Sequence, residues 1–149
     1  MSSSVFGSNR GSGSPAAFAA NDDVNFNYVL VVGKSPVNRV VVAKIVERSG
    51  LKTASEVPDK ALDVLYSLRP GTVVLDGGPS NSDCDEILAR IDAQRRATGR
   101  RVPAVILLST REPAEDKVAS NAIDAVVAKP LTPETLQPVV DGLLRRIRN

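Results

Sequence analysis

The stretch from Val73 to Pro79 constrains the fold of this chain more than any other. It reads Val-Val-Leu-Asp-Gly-Gly-Pro, so three apolar residues run into one carboxylate and then into a loop sequence. Such a run is typical of a fully buried strand of a parallel sheet that ends abruptly. Because ligands of open α/β sheets bind outside the carboxyl ends of the strands, Asp76 is a candidate for chemistry. The alternative is a turn carboxylate that accepts bonds from local backbone N–H groups.

The composition limits the classes of function. The chain has 149 residues, which is enough for one domain and a tail. It has no histidine, which removes the usual general base and metal ligand. Its single cysteine, Cys84, cannot form an intramolecular disulfide, and we expect a cytoplasmic protein without a signal peptide or membrane span. The formal charge of +2 is too small to indicate nucleic-acid binding.

Two regions differ in pattern. Residues 1–27 are rich in Ser and Gly and predict a flexible tail. In residues 28–149, short apolar runs alternate with helical periods, which predicts an α/β domain: a five-stranded parallel sheet of order 2-1-3-4-5, flanked by five helices in a flavodoxin-like three-layer sandwich. Pro70-Gly71 is expected to end the second helix, and Pro138 to bend the last one or delay its regular start. The predicted strands cover residues 28–32, 52–57, 73–76, 104–108 and 124–128, and the predicted helices begin near Ser35, Pro58, Ser82 or Asp83, residue 112 and Thr132.

Polar residues follow four of the predicted strands. These strand ends are Gly33-Lys34, Asp76, Ser109-Thr110 and Lys129-Pro130. In the order 2-1-3-4-5 they lie side by side, so a carboxylate, a hydroxyl and an ammonium converge. The set suits a phosphoryl group, with the carboxylate as acceptor, the hydroxyl as a hydrogen-bond donor and the lysine as a positive charge. Taken singly, the lysine could be a solvated strand end and the serine a turn hydroxyl.

Five short segments also carry a resemblance to a known family. They are Val31-Val32, Ser35-Pro36-Val37-Asn38-Arg39, Val74-Leu75-Asp76, Leu108-Ser109-Thr110 and Ala128-Lys129-Pro130-Leu131. As an ordered set they resemble the CheY-like receiver domain of two-component response regulators. The resemblance implies that Asp76 is the phosphoacceptor, Ser109 the switch hydroxyl, and Lys129, before a cis proline, the lysine that contacts Asp76 or its phosphoryl group. The implied neighbours of the phosphoryl pocket are Gly33, Lys34, Gly77, Gly78 and Thr110.

The chain departs from the family where the metal would bind. A receiver normally has two acidic residues after the first strand, which hold Mg²⁺ together with the phosphoacceptor, and these positions are Gly33 and Lys34 here. Mg²⁺ needs hard oxygen ligands in near-octahedral array, so we expect a degenerate metal site, with no cofactor or only weakly bound Mg²⁺. Lys34 either replaces the metal as a cation that pairs with Asp76 or points to solvent. Pro79 also comes one residue early, and Val126 stands where the family often has a switch aromatic.

The first predicted helix carries more apolar residues than one face needs. Val41 belongs to the set expected to face the sheet, together with Val42, Ile45 and Val46. Val37, Val40 and Ala43 form a second stripe that is predicted to dock a helical partner, unless it is buried in the chain's own core.

Clustered charges have simpler interpretations. We expect solvated faces or helix-end charges from the arginines of residues 95–101 and from those of the last helix. The second interpretation is that they bind an acidic partner. Asp83 and Asp85 predict helix N-terminal charge rather than replacement metal ligands.

The predicted function is a stand-alone receiver or pseudo-receiver of a bacterial phosphorelay. It is not an enzyme, and it acts by binding a sensor histidine kinase, a histidine phosphotransfer protein or another signalling protein. Asp76 is the formal phosphoacceptor, with weak or absent Mg²⁺-dependent phosphorylation. Two alternatives stay open: a phosphorylatable single-domain response regulator, and a small flavodoxin-like enzyme or cofactor-binding protein, which the lack of a Gly-rich phosphate loop disfavours. No nucleic-acid or membrane partner is expected, and homodimerisation stays open.

Overall fold

The computed structural model describes residues 24–79, 82–109 and 122–148. Five parallel strands form one sheet in the order β2-β1-β3-β4-β5, which confirms the predicted topology. The strands are β1 (Asn25–Val32), β2 (Lys52–Glu56), β3 (Pro70–Asp76), β4 (Ala104–Ser109) and β5 (Ala125–Ala128). The helices are α1 (Pro36–Glu47), a short 3-10 helix (Pro58–Lys60), α2 (Ala61–Leu68), α3 (Asp85–Thr98) and α4 (Pro133–Arg148).

The described residues contain four α-helices, whereas the sequence predicts five. The helix predicted over residues 112–122 lies outside the described residues except for Ala122, which is in a turn. The last helix, α4, continues through Pro138. Its first turn begins as predicted, because the Thr132 hydroxyl accepts a hydrogen bond from the Thr135 backbone N–H at 3.2 Å.

The sheet begins earlier than the sequence predicts. Strand β1 starts at Asn25 rather than at Tyr28, and its first residue pairs with Pro70 of β3. The backbone N–H of Asn25 donates to the carbonyl of Arg69 at 2.8 Å, which fixes this extension. Residues 25–27, which the sequence assigns to the tail, therefore belong to the sheet, and residues 1–23 of that tail lie outside the described part of the chain.

The junction between α2 and β3 corrects a second boundary. Pro70 and Gly71 do not form the end of the helix but the start of β3. Arg69 ends α2 instead, in the left-handed conformation with a φ of 53°. Proline suits the first position of a strand because it has no N–H to donate to the ladder.

Two apolar layers cover the sheet, and their residues alternate along each strand. The layer under α1 and α4 includes Val31, Val74 and Leu108 from the strands. The layer under α2 and α3 includes Leu75 and Leu107. Every residue of β3 is buried, because this strand lies between β1 and β4 and is covered on both faces. Within the described ranges, none of the helices has the length and apolar character needed to cross a membrane.

Candidate functional site

A pocket of about 240 Å³ opens at the carboxyl edge of the sheet, beside the end of β3. The start of α1, the loop after β3 and the residue after β5 form its walls. Parallel strands bring these segments to one edge although they lie far apart in the sequence. The described residues that line the pocket are Lys34, Ser35, Asn38, Asp76, Gly78, Pro79, Asp83 and Lys129.

Asp76 is the central residue of this pocket. It is the last residue of β3 and only 5% exposed. Its Oδ1 accepts hydrogen bonds from Lys129 Nζ at 2.6 Å and from the Gly78 backbone N–H at 3.0 Å. Its Oδ2 accepts a third bond from the Asn38 side-chain amide at 3.1 Å. Each oxygen of the carboxylate is therefore bonded to a donor of this chain.

The donors around Asp76 keep its carboxyl ionised. Burial opposes ionisation, but the hydrogen bonds from Lys129, Gly78 and Asn38 and the charge of Lys129 outweigh it, so the pKa of Asp76 is lowered. Lys129 follows β5, and its own backbone N–H donates to the Ser109 carbonyl at 3.0 Å. Its peptide bond to Pro130 is cis, as the family resemblance implies.

Asn38 is a contact that the sequence interpretation missed. Ser35 caps α1, and its hydroxyl accepts a hydrogen bond from the Asn38 backbone N–H at 3.2 Å. This cap places Asn38 in the first turn of α1, which a connection of three residues separates from β1. A sequence signal for this contact exists: Asn38 is polar and lies three positions after the cap Ser35, which itself lies close to the end of β1.

Lys34 does not pair with Asp76. Its ammonium lies 3.5 Å from Oδ1 of Asp83, and its side chain is 68% exposed, whereas that of Asp83 is 15% exposed. Of the two alternatives for Lys34, the ion pair with Asp76 is not formed, because Lys129 occupies that position on the carboxylate, and the lysine is largely exposed to solvent. Asp83 lies in the pocket and does not cap α3, since Cys84 holds the N-cap position that was predicted for Ser82 or Asp83.

Gly33 lies against the phosphoacceptor candidate. A Cβ added to Gly33 would lie 2.9 Å from Cβ of Asp76, a distance that demands a backbone or side-chain shift. The Gly33 carbonyl accepts a hydrogen bond from the Arg39 guanidinium at 2.6 Å. Any side chain at position 33 would therefore collide with the side chain of Asp76 in its present position.

The other predicted pocket residues lie close by in the fold but contribute differently. Ser109 ends β4 and is fully buried, and it is not among the described residues that line the pocket. Gly77 is buried, and its carbonyl accepts a hydrogen bond from the Asp83 backbone N–H at 3.1 Å, which ties the loop after β3 to the start of α3. Thr110 lies outside the described residues.

Cys84 lies directly beneath this loop. Its thiol is buried and donates to the Asp76 carbonyl at 3.3 Å. Burial, followed by the negative charges of Asp76, Asp83 and Asp85, raises the pKa of Cys84 to about 12. The thiol is therefore protonated at neutral pH and serves in packing rather than as a nucleophile.

The donor set of the pocket does not suit Mg²⁺, the ion that the receiver resemblance implies. Its two carboxylates, Asp76 and Asp83, are each paired with a lysine ammonium, and the Gly78 contact to Asp76 is made by an N–H rather than a carbonyl. Mg²⁺ requires several oxygen ligands, and an adjacent ammonium repels it. Among the described residues, no group of three or more His, Cys, Asp or Glu side chains is arranged to hold a metal ion.

The exposed face of α1 differs from the predicted stripe in two residues. Val37 is 70% exposed and Val40 is 54% exposed, as the docking prediction requires. Val41 is 37% exposed rather than packed on the sheet, whereas Ala43 is half-buried. The stripe shifts because Val42, Ile45 and Val46 alone fill the space between α1 and the sheet. We refer to Val37, Val40 and Val41 as the α1 valine patch.

One arginine of the predicted solvated cluster is instead buried. The guanidinium of Arg95 binds both carboxylate oxygens of Asp124, at 2.9 and 3.3 Å, and also donates to the Ala122 carbonyl at 2.8 Å. The side chains of Arg95 and Asp124 are each 10% exposed. Asp124 also accepts a bond from the Val105 backbone N–H, so this pair joins α3 to the start of β4 and the approach to β5.

The strand order and the position of the pocket define a class of protein. An open parallel sheet of order 2-1-3-4-5 with a polar pocket at its carboxyl edge defines a doubly wound, flavodoxin-like α/β protein whose pocket lies at the switch point of the sheet. No protein-family model matches the sequence, and no curated protein matches it.

Solved structures identify the particular fold within this class. The signal receiver domain of a histidine kinase from Syntrophus aciditrophicus is 24% identical, with a TM-score of 0.68 over 83% of this chain and 93% of that chain. Chemotaxis protein CheY4 of Vibrio cholerae is 22% identical, with a TM-score of 0.62 over 83% of this chain and 99% of that chain. The N-terminal domain of a response regulator receiver protein from Methanoculleus marisnigri is 25% identical, with a TM-score of 0.57 over 78% of this chain and 95% of that chain. The chain has the fold of a response-regulator receiver domain.

Proposed function

We propose that this protein is a receiver of two-component signal transduction that acts by binding a signalling partner, and that Mg²⁺-dependent phosphorylation of Asp76 is weak or absent. One observation carries the proposal: among the described residues that line the pocket, Asp76 and Asp83 alone carry carboxylates, and each is paired with a lysine ammonium, which leaves too few oxygen ligands for Mg²⁺. The single free thiol of Cys84 supports a cytoplasmic location, because a protein without disulfides needs no oxidising compartment.

Weak phosphorylation follows from charge. Transfer of a phosphoryl group develops negative charge on its oxygens, and metal ions normally neutralise that charge. Here Lys129 supplies one fixed positive charge, but it is held by Asp76 at 2.6 Å. Lys34 lies 3.5 Å from Asp83, and its side chain is 68% exposed, so its charge is partly neutralised by Asp83 and screened by water. An attacking Asp76 would have to give up its bond to Lys129 without a metal ion to replace it.

The α1 valine patch supports partner binding. Apolar residues as exposed as Val37 and Val40 are typical of surfaces that dock a partner helix. The same helix contributes Ser35 and Asn38 to the pocket wall, so a partner that lies on α1 also lies near Asp76. We infer that the partner is a helical protein such as a sensor histidine kinase or a histidine phosphotransfer protein.

Intact-mass measurement after incubation with acetyl phosphate and Mg²⁺ tests this function. We expect no stoichiometric gain of a phosphoryl group in the natural chain. Lys34→Asp removes an ammonium from the pocket and adds a hard oxygen ligand, so we expect this variant to gain a phosphoryl group that is absent when Asp76→Asn is added. Lys44→Asp makes the same charge change at an exposed position of α1 outside the pocket lining and serves as the matched control.

A stoichiometric phosphoryl gain in the natural chain, absent in Asp76→Asn, overturns the proposal in favour of a phosphorylatable response regulator. If Lys34→Asp and Lys44→Asp behave alike, the charge argument for position 34 is wrong.

A further inference from the structure

A second cavity, of about 310 Å³, lies at the other end of the sheet from Asp76. It is formed by the segment that leads from α3 into β4, by the C-terminal half of α4 and by the residue before β5. It shares no residue with the Asp76 pocket. The described residues that line it are Arg100, Arg101, Val102, Ala104, Asp124, Leu143 and Arg146.

The lining of this cavity is positively charged. Three guanidinium groups, from Arg100, Arg101 and Arg146, line it together with one carboxylate, that of Asp124. That carboxylate is already neutralised from outside the cavity, because both of its oxygens are bonded to Arg95. The guanidinium groups of Arg101 and Arg146 therefore give this lining an excess of positive charge, which suits an anion. Guanidinium groups match phosphate oxygens better than a single ammonium does, because they present paired N–H donors.

The floor of the cavity is apolar. Ala104 and Leu143 are 1% and 4% exposed, and they belong to the core layer under α1 and α4. Thr72 pairs with Ala104 in the neighbouring strand and is 1% exposed, and its hydroxyl has no hydrogen-bond partner among the described residues. An apolar floor beside guanidinium groups strengthens their attraction for an anion, because water is excluded from one side. Val102, which is half-buried and lines the cavity beside this floor, offers an apolar surface to a ligand.

We propose that this cavity binds a small organic phosphate of nucleotide size, with the phosphate on Arg101 and Arg146 and the apolar body over Val102. The volume agrees with the lower end of small-ligand pockets, which start at about 300 Å³. The proposal concerns a different site from Asp76 and does not depend on phosphorylation there.

Backbone NMR titration of the full chain tests the proposal with AMP, adenosine and inorganic phosphate as separate probes. We expect AMP to produce saturable shifts at residues 101–104 and 142–146. Adenosine lacks the charge and inorganic phosphate lacks the apolar body, so each should bind at least about tenfold more weakly. Arg101→Ala and Arg146→Ala should each weaken AMP binding by about tenfold or more, since each removes a charged hydrogen-bond donor. Arg90→Ala, an exposed arginine of α3 that is not among the lining residues, is the matched control.

Three results would overturn the proposal. They are the absence of AMP shifts at millimolar concentration, equal affinity for AMP and inorganic phosphate, and equal AMP affinity of Arg146→Ala and Arg90→Ala. Shifts at these residues caused by an acidic peptide but not by AMP would likewise reject it and assign the cavity to a protein partner. Thermal melts of each variant show whether it remains folded. If Arg146→Ala does not fold, the comparison of Arg101→Ala with Arg90→Ala tests the proposal instead.

Discussion

Replacing Lys129 by methionine should destabilise the protein through Asp76. The side chains of Lys129 and Asp76 are 20% and 6% exposed, and their ion pair is 2.6 Å long. Removing one partner of a fully buried pair costs about 3–5 kcal/mol, and breaking an exposed pair costs at most about 1 kcal/mol. Lys129 is partly exposed and Asp76 keeps its bonds from Gly78 and Asn38. We therefore expect a loss of about 2 kcal/mol near neutral pH.

The loss should depend on pH with a definite sign. The folded pKa of Asp76 is lowered, so its ionised form contributes stability that is complete above the unfolded pKa of about 4 and disappears as the pH falls through the folded pKa. In Lys129→Met the hydrogen bond and the charge of Lys129 are gone, so the folded pKa of Asp76 lies higher than in the natural chain. The difference in stability between the two proteins should therefore shrink as the pH falls from the folded pKa of Asp76 in the variant to its lower folded pKa in the natural chain.

Urea unfolding of the natural chain and of Lys129→Met at several pH values measures this difference. Lys60→Met, which changes an exposed lysine of the 3-10 helix, should alter the free energy of unfolding by less than about 0.5 kcal/mol. A Lys129→Met loss of equal size near pH 7 and near pH 3 would show that the lysine stem, not the charge, stabilises the fold. No loss near pH 7 would refute the ion-pair argument outright.

Four further substitutions, of which Val42→Ala and Val40→Ala form a matched pair, test the packing around the two sites. Val42→Ala should lower the free energy of unfolding by about 1–3 kcal/mol because Val42 is 1% exposed. Val40→Ala should lower it by less than about 0.5 kcal/mol, because Val40 is 54% exposed. Equal losses in urea unfolding would contradict the exposure of the α1 valine patch. Arg95→Ala should cost about 3–5 kcal/mol in the same assay because it leaves the carboxylate of Asp124 buried and unpaired, and a loss below about 1 kcal/mol would show that water replaces the guanidinium. Gly33→Ala should lower the stability by about 1–3 kcal/mol, since its Cβ would lie 2.9 Å from that of Asp76. A thermal melt measures this loss, and an unchanged melting temperature would show that the backbone at Gly33 shifts at little cost.

Local sequence determines the elements whose signals lie within a few residues. The run before Asp76 and the apolar residues of β4 predict buried strands because both faces of a central strand need apolar side chains. Ser35 followed by proline predicts the start of α1 because capping and a fixed φ act within one turn. The alternation of such elements predicts a doubly wound parallel sheet, and the strand order 2-1-3-4-5 is one of the orders that such a sheet adopts.

Strand ends and helix faces were predicted less well. Strand β1 starts at Asn25 because the residues of β3 pair with it, and no signal within residues 25–27 reveals that partner. Val41 is exposed because the space between α1 and the sheet is filled by Val42, Ile45 and Val46, a matter of volume that a hydrophobic pattern does not specify.

The contacts of the site depend on tertiary structure. Asn38 meets Asp76 across 38 positions of sequence, and Lys129 meets it across 53. Sequence placed Asp76 and Lys129 at strand ends on the same edge of the sheet, but it could not assign Lys34 to Asp83 rather than to Asp76. A long side chain at a strand end reaches several groups, and only the packed positions of α1 and α3 determine which of them lies within bonding distance.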